Sequence, residues 1–156
     1  MTEKSARKIV VLGAGNILLR DEGIGVHVIR EMEKMDLPPN VELLDGGTLG
    51  IDILNLIEGA DKLVIVDAVK TEAETGAIFR FRPEDIKTVS KGYKTSLHQI
   101  DLFEALKIAK LMDQYPESIV IGVQPGKIDW GLELSPELRE KIPAIIDVVL
   151  EEIAKG

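Results

Sequence analysis

Short apolar runs alternate with segments of helical periodicity along the chain, and this alternation limits the possible folds more than any other feature. β-branched residues dominate several of the runs, as in strands that are buried on both faces of a sheet. The predicted strands cover residues 8–13, 41–45, 62–67, 76–81 and 118–124. The predicted helices cover residues 21–36, 49–58, 96–112 and 135–155. This order predicts a three-layer α/β/α fold around a mostly parallel, five-stranded twisted sheet.

One connection breaks the parallel pattern. Residues 68–75 are too few for a parallel crossover, which needs roughly a dozen or more, so the strand at 76–81 is predicted to be antiparallel. Right-handed crossovers elsewhere would place strand one between strands two and three, and ligands usually bind where strand order reverses in this way. No linker or repeat divides the 156 residues, and a single domain spanning 1–156 is predicted.

The composition limits which metal ligands and which partners this chain can have. The chain contains no cysteine, so a metal site would have to use His, Asp and Glu, and the histidines are His27 and His98. A net charge of −8 argues against nucleic acid and anionic membranes as partners. No apolar run approaches the roughly 20 residues of a membrane span, and the N-terminal residues do not resemble a signal peptide. We therefore expect a cytoplasmic protein without a membrane partner, and a monomer because no further amphipathic stripe is evident.

The glycines after strand one invite comparison with a dinucleotide-binding turn. Gly13 and Gly15 have the required spacing, but Leu18 occupies the position of the third small residue. Asp21 and Glu22 at the start of the next helix would also repel a pyrophosphate. A nucleotide- or cofactor-binding module stays open as an alternative, because an acidic residue after strand two, Asp45, would be placed to bind a ribose.

Two carboxylates are predicted to lie at neighbouring strand ends. Glu22 starts the helix that follows strand one, and Asp67 ends strand three after a wholly apolar run, where it would point into the crevice. Each also has a purely structural interpretation, Glu22 as part of a helix-capping pair and Asp67 as a loop cap. Spacing alone leaves both interpretations open.

The sequence SLHQ at 96–99 matches a capping box and places His98 in the first turn of a helix. The positive end of the helix dipole disfavours imidazolium, and neutral imidazole is the form that binds metals. His98 could equally pack at the helix start, and His27, between two valines, is predicted to lie at the surface or support the site rather than bind a metal. Glu22, Asp67 and His98 would together suit zinc or nickel, although the predicted topology does not itself bring His98 to the carboxylates. Neither the serine-hydrolase motif GxSxG nor the zincin motif HExxH is present.

Five motifs resemble, in order, those of the endopeptidases that mature nickel–iron hydrogenases. They are GAGNILLRDEGIG at 13–25, DGGT at 45–48, VDA at 66–68, SLHQ at 96–99 and GVQP at 122–125. The resemblance covers roughly residues 8–153. One such motif would be weak evidence, whereas five in register are specific.

The resemblance implies an endopeptidase that removes the C-terminal extension of a hydrogenase large-subunit precursor after nickel insertion. It places the metal-binding residues at Glu22, Asp67 and His98, and a further catalytic aspartate at Asp45. We expect the nickel to arrive with the precursor rather than to be a permanent cofactor, while zinc or cadmium could occupy the same donors in vitro. A non-catalytic nickel-sensing chaperone on the same scaffold is the remaining alternative.

Overall fold

A computed structural model describes residues 7–47, 53–89 and 97–156 of the chain. The strands are β1 (Ile9–Ala14), β2 (Val41–Gly47), β3 (Lys62–Ala68), β4 (Ile78–Phe81) and β5 (Glu117–Val123). The helices are α1 (Ile24–Met32), α2 (Ile53–Leu56), α3 (Ile86–Val89), α4 (Leu97–Leu111) and α5 (Pro136–Lys155). Two 3-10 turns, Arg20–Gly23 and Pro83–Asp85, precede α1 and α3.

The strands form one sheet in the order β2-β1-β3-β5-β4. β1 pairs in parallel with both β2 and β3, so the predicted position of the first strand is confirmed. β4 is antiparallel to β5, also as predicted, because the short segment before it cannot cross over the sheet. The parallel strands β1, β2, β3 and β5 therefore all end at the same edge of the sheet.

Helices cover both faces of the sheet, which confirms the three-layer architecture. Side chains alternate along β1, so Ile9 and Val11 face one hydrophobic cluster while Val10 and Leu12 face another. The first cluster contains residues of α1 and α5, and the second contains residues of α2, α3 and α4. Each aliphatic side chain buried in this way contributes about 1.5–3 kcal/mol to folding. Within the described ranges, no helix is both long and apolar enough to cross a membrane.

The first helix is shorter than predicted. The segment predicted as a helix over 21–36 begins as the 3-10 turn Arg20–Gly23, and α1 ends at Met32. Within it, Ile24, Val28, Ile29 and Met32 are buried as their spacing predicted. The same helical spacing also predicts Met35 in the core, and this prediction is wrong, since the side chain is 39% exposed. The helix ends before Met35, so the residue does not continue the buried stripe. In the predicted helix 49–58, α2 covers Ile53–Leu56, and residues 48–52 lie outside the described part.

Candidate functional site

Glu22 and Asp67 both lie next to Gly15, at the sheet edge where β1 and β3 end. Gly15 has a φ angle of +116°, a conformation that favours glycine. A methyl group on Gly15 would lie 1.9 Å from the backbone oxygen of Glu22 and 3.5 Å from Oδ1 of Asp67. Both acidic residues therefore lie close to the ends of neighbouring strands, and their role as metal ligands stays a prediction.

The start of α1 packs against the backbone of both strands through Gly25. A methyl group on Gly25 would lie 2.0 Å from the carbonyl oxygen of Val66 and 2.5 Å from that of Ala14. Only a residue without a side chain permits this approach. The contact fixes the position of the preceding turn, and with it Glu22, relative to β1 and β3.

Both carboxylates are buried. Glu22 is 8% exposed and Asp67 is 2% exposed, and Oδ1 of Asp67 accepts the backbone N–H of Ala68 at 2.8 Å. Burial of an ionised carboxylate is costly unless hydrogen bonds or cations compensate it. The N-cap of α1 is Gly23, and Glu22 directly precedes it.

Asp45 lies on β2, which pairs with β1 on the side away from β3. It was predicted to end strand two, but β2 continues to Gly47, and Asp45 lies inside it, opposite Gly13 in the parallel register. Its side chain is exposed. Asp45 thus lies near the sheet edge where Glu22 and Asp67 are found. It reaches this edge from β2, whereas Asp67 reaches it from β3.

The backbone of α4 begins at Leu97, in agreement with the predicted helix start, but the side chain of His98 lies outside the described residues. Ser96 also lies outside them, so the predicted capping box is not tested. Among the side chains that the structure describes, no group of three or more His, Asp or Glu residues could hold a metal ion. A site formed by Glu22, Asp67 and His98 therefore stays a prediction.

Asp21 has a role that the sequence did not reveal. Its side chain is fully buried, and Oδ2 accepts the backbone N–H groups of Gly126 and Lys127 at 2.8 and 2.9 Å. Ser135 donates its backbone N–H to Oδ1 and its hydroxyl to Oδ2, both at 2.7 Å. The carboxylate thereby holds both ends of the segment between β5 and α5 against the turn that contains Glu22. Asp21 lies next to a predicted site residue, but no local pattern identifies its distant partners.

Gln124, in the GVQP motif, organises the loop that follows β3. Its Oε1 accepts the backbone N–H of Thr71 at 2.6 Å and the Thr71 hydroxyl at 2.8 Å. Its backbone N–H donates to the carbonyl of Ala77, and its carbonyl accepts the N–H of Gly76. These bonds fix the chain that leaves the strand carrying Asp67.

His27 lies on α1, with Nε2 buried and without a hydrogen-bond partner among the described residues. Burial is the main cause that lowers the pKa of His27, and the cations Arg30 and Arg139 lower it further, whereas Asp21 acts in the opposite direction. The imidazole therefore stays neutral over a wider pH range than a free histidine. That His27 does not bind a metal stays a prediction.

Comparison with known proteins gives consistent results. A family model described as hydrogenase maturation protease matches residues 26–152. The hydrogenase expression/formation protein HupD of Bradyrhizobium diazoefficiens is 37% identical to this chain, over 99% of the chain and 82% of that protein. The hydrogenase 2 maturation protease of Escherichia coli is 34% identical, over 96% of the chain and 92% of that protein.

A solved structure extends the likeness to the fold. The hydrogenase maturating endopeptidase HybD from E. coli superposes with a TM-score of 0.87 at 33% sequence identity. The match covers 95% of this chain and 93% of that one. The likeness in fold therefore extends over nearly the whole chain.

Proposed function

The chain belongs to the hydrogenase maturation protease family, and from this membership we propose that it removes the C-terminal extension of a nickel–iron hydrogenase large-subunit precursor after nickel insertion. The observation that carries the proposal is that two buried acidic residues, Glu22 and Asp67, lie next to Gly15. Buried acidic groups at the reversal point of strand order are typical of binding sites in this fold class. An endopeptidase of this family would need such a site for its substrate.

In the proposed site, Glu22 and Asp67 supply oxygen donors and His98 supplies a nitrogen donor. Two carboxylates and one neutral imidazole suit a borderline divalent cation such as nickel. The nickel would arrive as part of the substrate, already held by thiolates of the precursor. Zinc or cadmium would bind the same donors in vitro. Asp45, exposed near the same sheet edge, is proposed to contact the substrate or to orient a ligand.

The residues of this chain would act mainly by positioning. Glu22, Asp67 and His98 would bind the substrate's nickel and thereby hold the scissile peptide in one orientation, which can supply a large part of a rate enhancement. Hydrolysis adds water to the peptide carbonyl carbon, breaks the C–N bond and transfers a proton to the departing nitrogen. A metal centre beside that bond can polarise the carbonyl or activate the water.

The decisive experiment incubates the protein with nickel-loaded and nickel-free precursor and follows precursor mass by mass spectrometry. We expect loss of a C-terminal peptide from the loaded precursor alone. Glu22→Gln and Asp67→Asn should process it poorly, whereas Glu58→Gln, a change at an exposed residue, should act as wild type. Equal cleavage of both precursors would contradict recognition of nickel.

The same experiment separates the alternatives. A nickel-sensing chaperone would bind the loaded precursor and leave its mass unchanged. A nucleotide-binding module would bind NAD or adenosine nucleotides in calorimetry, and the family membership argues against this interpretation. Binding without cleavage by the wild-type protein would overturn the peptidase proposal.

A further inference from the structure

Three large apolar side chains are exposed next to the candidate site. Leu18 is 49% exposed, Trp130 78% and Leu132 62%. They belong to two paired segments, because the N–H of Gly131 donates to the carbonyl of Leu18 and the N–H of Arg20 donates to that of Gly131, both at 2.9 Å. We call these side chains the Leu18–Trp130–Leu132 patch. Clustered apolar residues on a surface are typical of sites that bind other proteins.

The patch is attached to the turn that carries Glu22. Asp21 accepts N–H groups from Gly126 and Lys127 before the patch residues and from Ser135 after them. The N–H of Asp21 also donates to the carbonyl of Lys127 at 2.9 Å. A molecule bound to the patch would therefore be held at a fixed position relative to the candidate site.

A groove with excess positive charge adjoins the patch. Its volume is about 390 Å³, and it begins at Leu132, which belongs to both surfaces. Arg30, Lys34 and Arg139 line the groove, against the carboxylates of Glu31 and Glu133. Lys34 pairs with Glu31 at 3.1 Å, whereas Arg30 and Arg139 form no ion pair with any residue that the structure describes.

The charge of the groove is positive, opposite in sign to that of the whole chain, which carries a net charge of −8. Arg30 and Arg139, which have no carboxylate partner in the described part of the chain, lie beside an apolar patch and so favour a ligand that combines apolar side chains with carboxylates. Tryptophan and arginine are also among the residue types enriched at the positions that dominate binding energy at protein interfaces. Both the charge and the side chains of this surface therefore suit a protein segment better than a small polar molecule.

We propose that the Leu18–Trp130–Leu132 patch and the adjoining groove form the docking surface for the hydrogenase large-subunit precursor, binding a segment in which apolar side chains lie next to acidic ones. This inference rests on the proposed function, since it takes the same precursor as partner. Docking here would hold the precursor while its nickel and its scissile bond reach Glu22 and Asp67.

The test measures precursor binding and precursor cleavage separately. Binding of nickel-loaded precursor to immobilised protein gives Kd, and mass spectrometry at several precursor concentrations gives kcat and KM. The double variant Trp130→Ala/Leu132→Asp and the charge reversal Arg139→Glu should each raise Kd and KM at least about tenfold. Their kcat should stay within about twofold of wild type, because neither touches the carboxylates that bind the metal.

Two matched controls lie on α4, which packs on the opposite face of the sheet. Leu111→Asp changes a leucine that is 87% exposed, and Lys107→Glu reverses an exposed charge. Both should bind the precursor as wild type does. Arg139→Glu leaves the apolar patch intact, so it keeps the test valid if the double variant does not fold.

Each outcome decides the proposal. Unchanged Kd in both groove and patch variants would overturn it, as would a wild-type protein that does not bind the precursor. A wild-type protein that binds but does not cleave would contradict the proposed function alone, and the variants' Kd values would still decide docking. If ultracentrifugation showed a wild-type dimer that the patch variants lose without a change in precursor binding, the patch would be an interface between two copies, and the docking proposal would be wrong.

Discussion

Both oxygens of the buried Asp21 carboxylate are bound by Ser135, whose backbone N–H donates to Oδ1 and whose hydroxyl donates to Oδ2, each at 2.7 Å. Ser135 is the N-cap residue of α5, yet its hydroxyl does not cap that helix. Asp21 instead places a negative charge at the N-terminus of α5, where the helix dipole favours it. One carboxylate thus joins the turn beside the candidate site to the longest helix that the structure describes.

Replacing Asp21 by asparagine should destabilise the protein. The amide keeps one acceptor oxygen but presents an NH₂ group to N–H donors, so at least one charged hydrogen bond is lost and a donor is left unpaired. We expect a loss of about 3 kcal/mol in the free energy of unfolding, and about 1.5 kcal/mol for Ser135→Ala, which removes only the hydroxyl. Urea denaturation at pH 7 measures both.

Asp129→Asn is the matched control, since Asp129 lies in the same segment but is exposed. Its effect should stay within about 0.5 kcal/mol. If Asp21→Asn were no less stable than Asp129→Asn, the hydrogen bonds of Asp21 would not be what holds the segment.

Much of the fold followed from local patterns in the sequence. The apolar runs predicted the five strands, and the short link before β4 predicted its antiparallel direction. These features depend on neighbouring residues or on general rules of chain connection. The motifs likewise indicated the family, which the matches to known proteins confirm.

The function of Asp21 could not be predicted in this way. Its partners Gly126 and Ser135 lie 105 and 114 residues away in the sequence. The sequence allowed a helix-capping role for Asp21 and Glu22, because acidic residues at a helix start often have one. Long-range hydrogen bonds leave no periodic signal in the sequence. The predicted topology likewise does not show whether His98 lies near Glu22 and Asp67, so that part of the site stays a prediction.

The close contact at Gly25 gives a second prediction. In Gly25→Ala the methyl group would overlap the carbonyl oxygen of Val66 at 2.0 Å, so the start of α1 must move away from β3. We expect a loss of about 3 kcal/mol in unfolding free energy, at the upper end for overpacking. Because the shift also displaces Glu22, precursor processing should fall even at temperatures where the variant is fully folded.

Gly59→Ala is the control that distinguishes the cost of steric overlap from the cost of backbone strain. Gly59 has a φ angle of +78° and nothing within 4 Å of an added methyl group. Its substitution should cost only about 1–2 kcal/mol, the strain of a left-handed residue, and should leave processing intact. If Gly25→Ala and Gly59→Ala lost the same unfolding free energy, the overlap with Val66 would have no cost of its own, and the expected displacement of α1 would be wrong.

A buried ion pair far from the site should make stability depend on pH. Lys62 is 3% exposed, and its ammonium lies 3.3 Å from Oε1 of Glu152. Burial raises the pKa of Glu152, but hydrogen bonds from Lys155 and Lys62 and the charges of both lysines lower it more, so the pKa lies below its usual value. A carboxylate with a lowered pKa stabilises the fold above its unfolded pKa of about 4.3, and this contribution is lost as pH falls through the folded pKa.

Glu152→Gln should therefore cost about 3 kcal/mol at pH 7, where it leaves the Lys62 ammonium buried without its main counter-charge. The difference in unfolding free energy between the variant and wild type should shrink as the pH is lowered from 5 to 3. Over this range wild-type Glu152 becomes protonated, and so neutral like the glutamine that replaces it. Glu151→Gln is the control, since this neighbouring carboxylate pairs with Arg80 at the surface. A wild-type advantage that is the same at pH 3 and pH 7 would contradict the assigned ionisation of Glu152.

The last prediction concerns His98, proposed as the single nitrogen donor to the substrate's nickel. His98→Ala should leave circular dichroism and thermal unfolding close to wild type, since it removes one side chain at the start of α4. Processing of the nickel-loaded precursor should fall at least about 100-fold, because the scissile bond would no longer be held in position. Glu22→Gln and Asp67→Asn should lose less, as an amide oxygen still coordinates weakly. Lys107→Ala, an exposed change on the same helix, controls for effects on α4. A folded His98→Ala protein that processes the precursor at the wild-type rate would show that His98 is not the nitrogen donor.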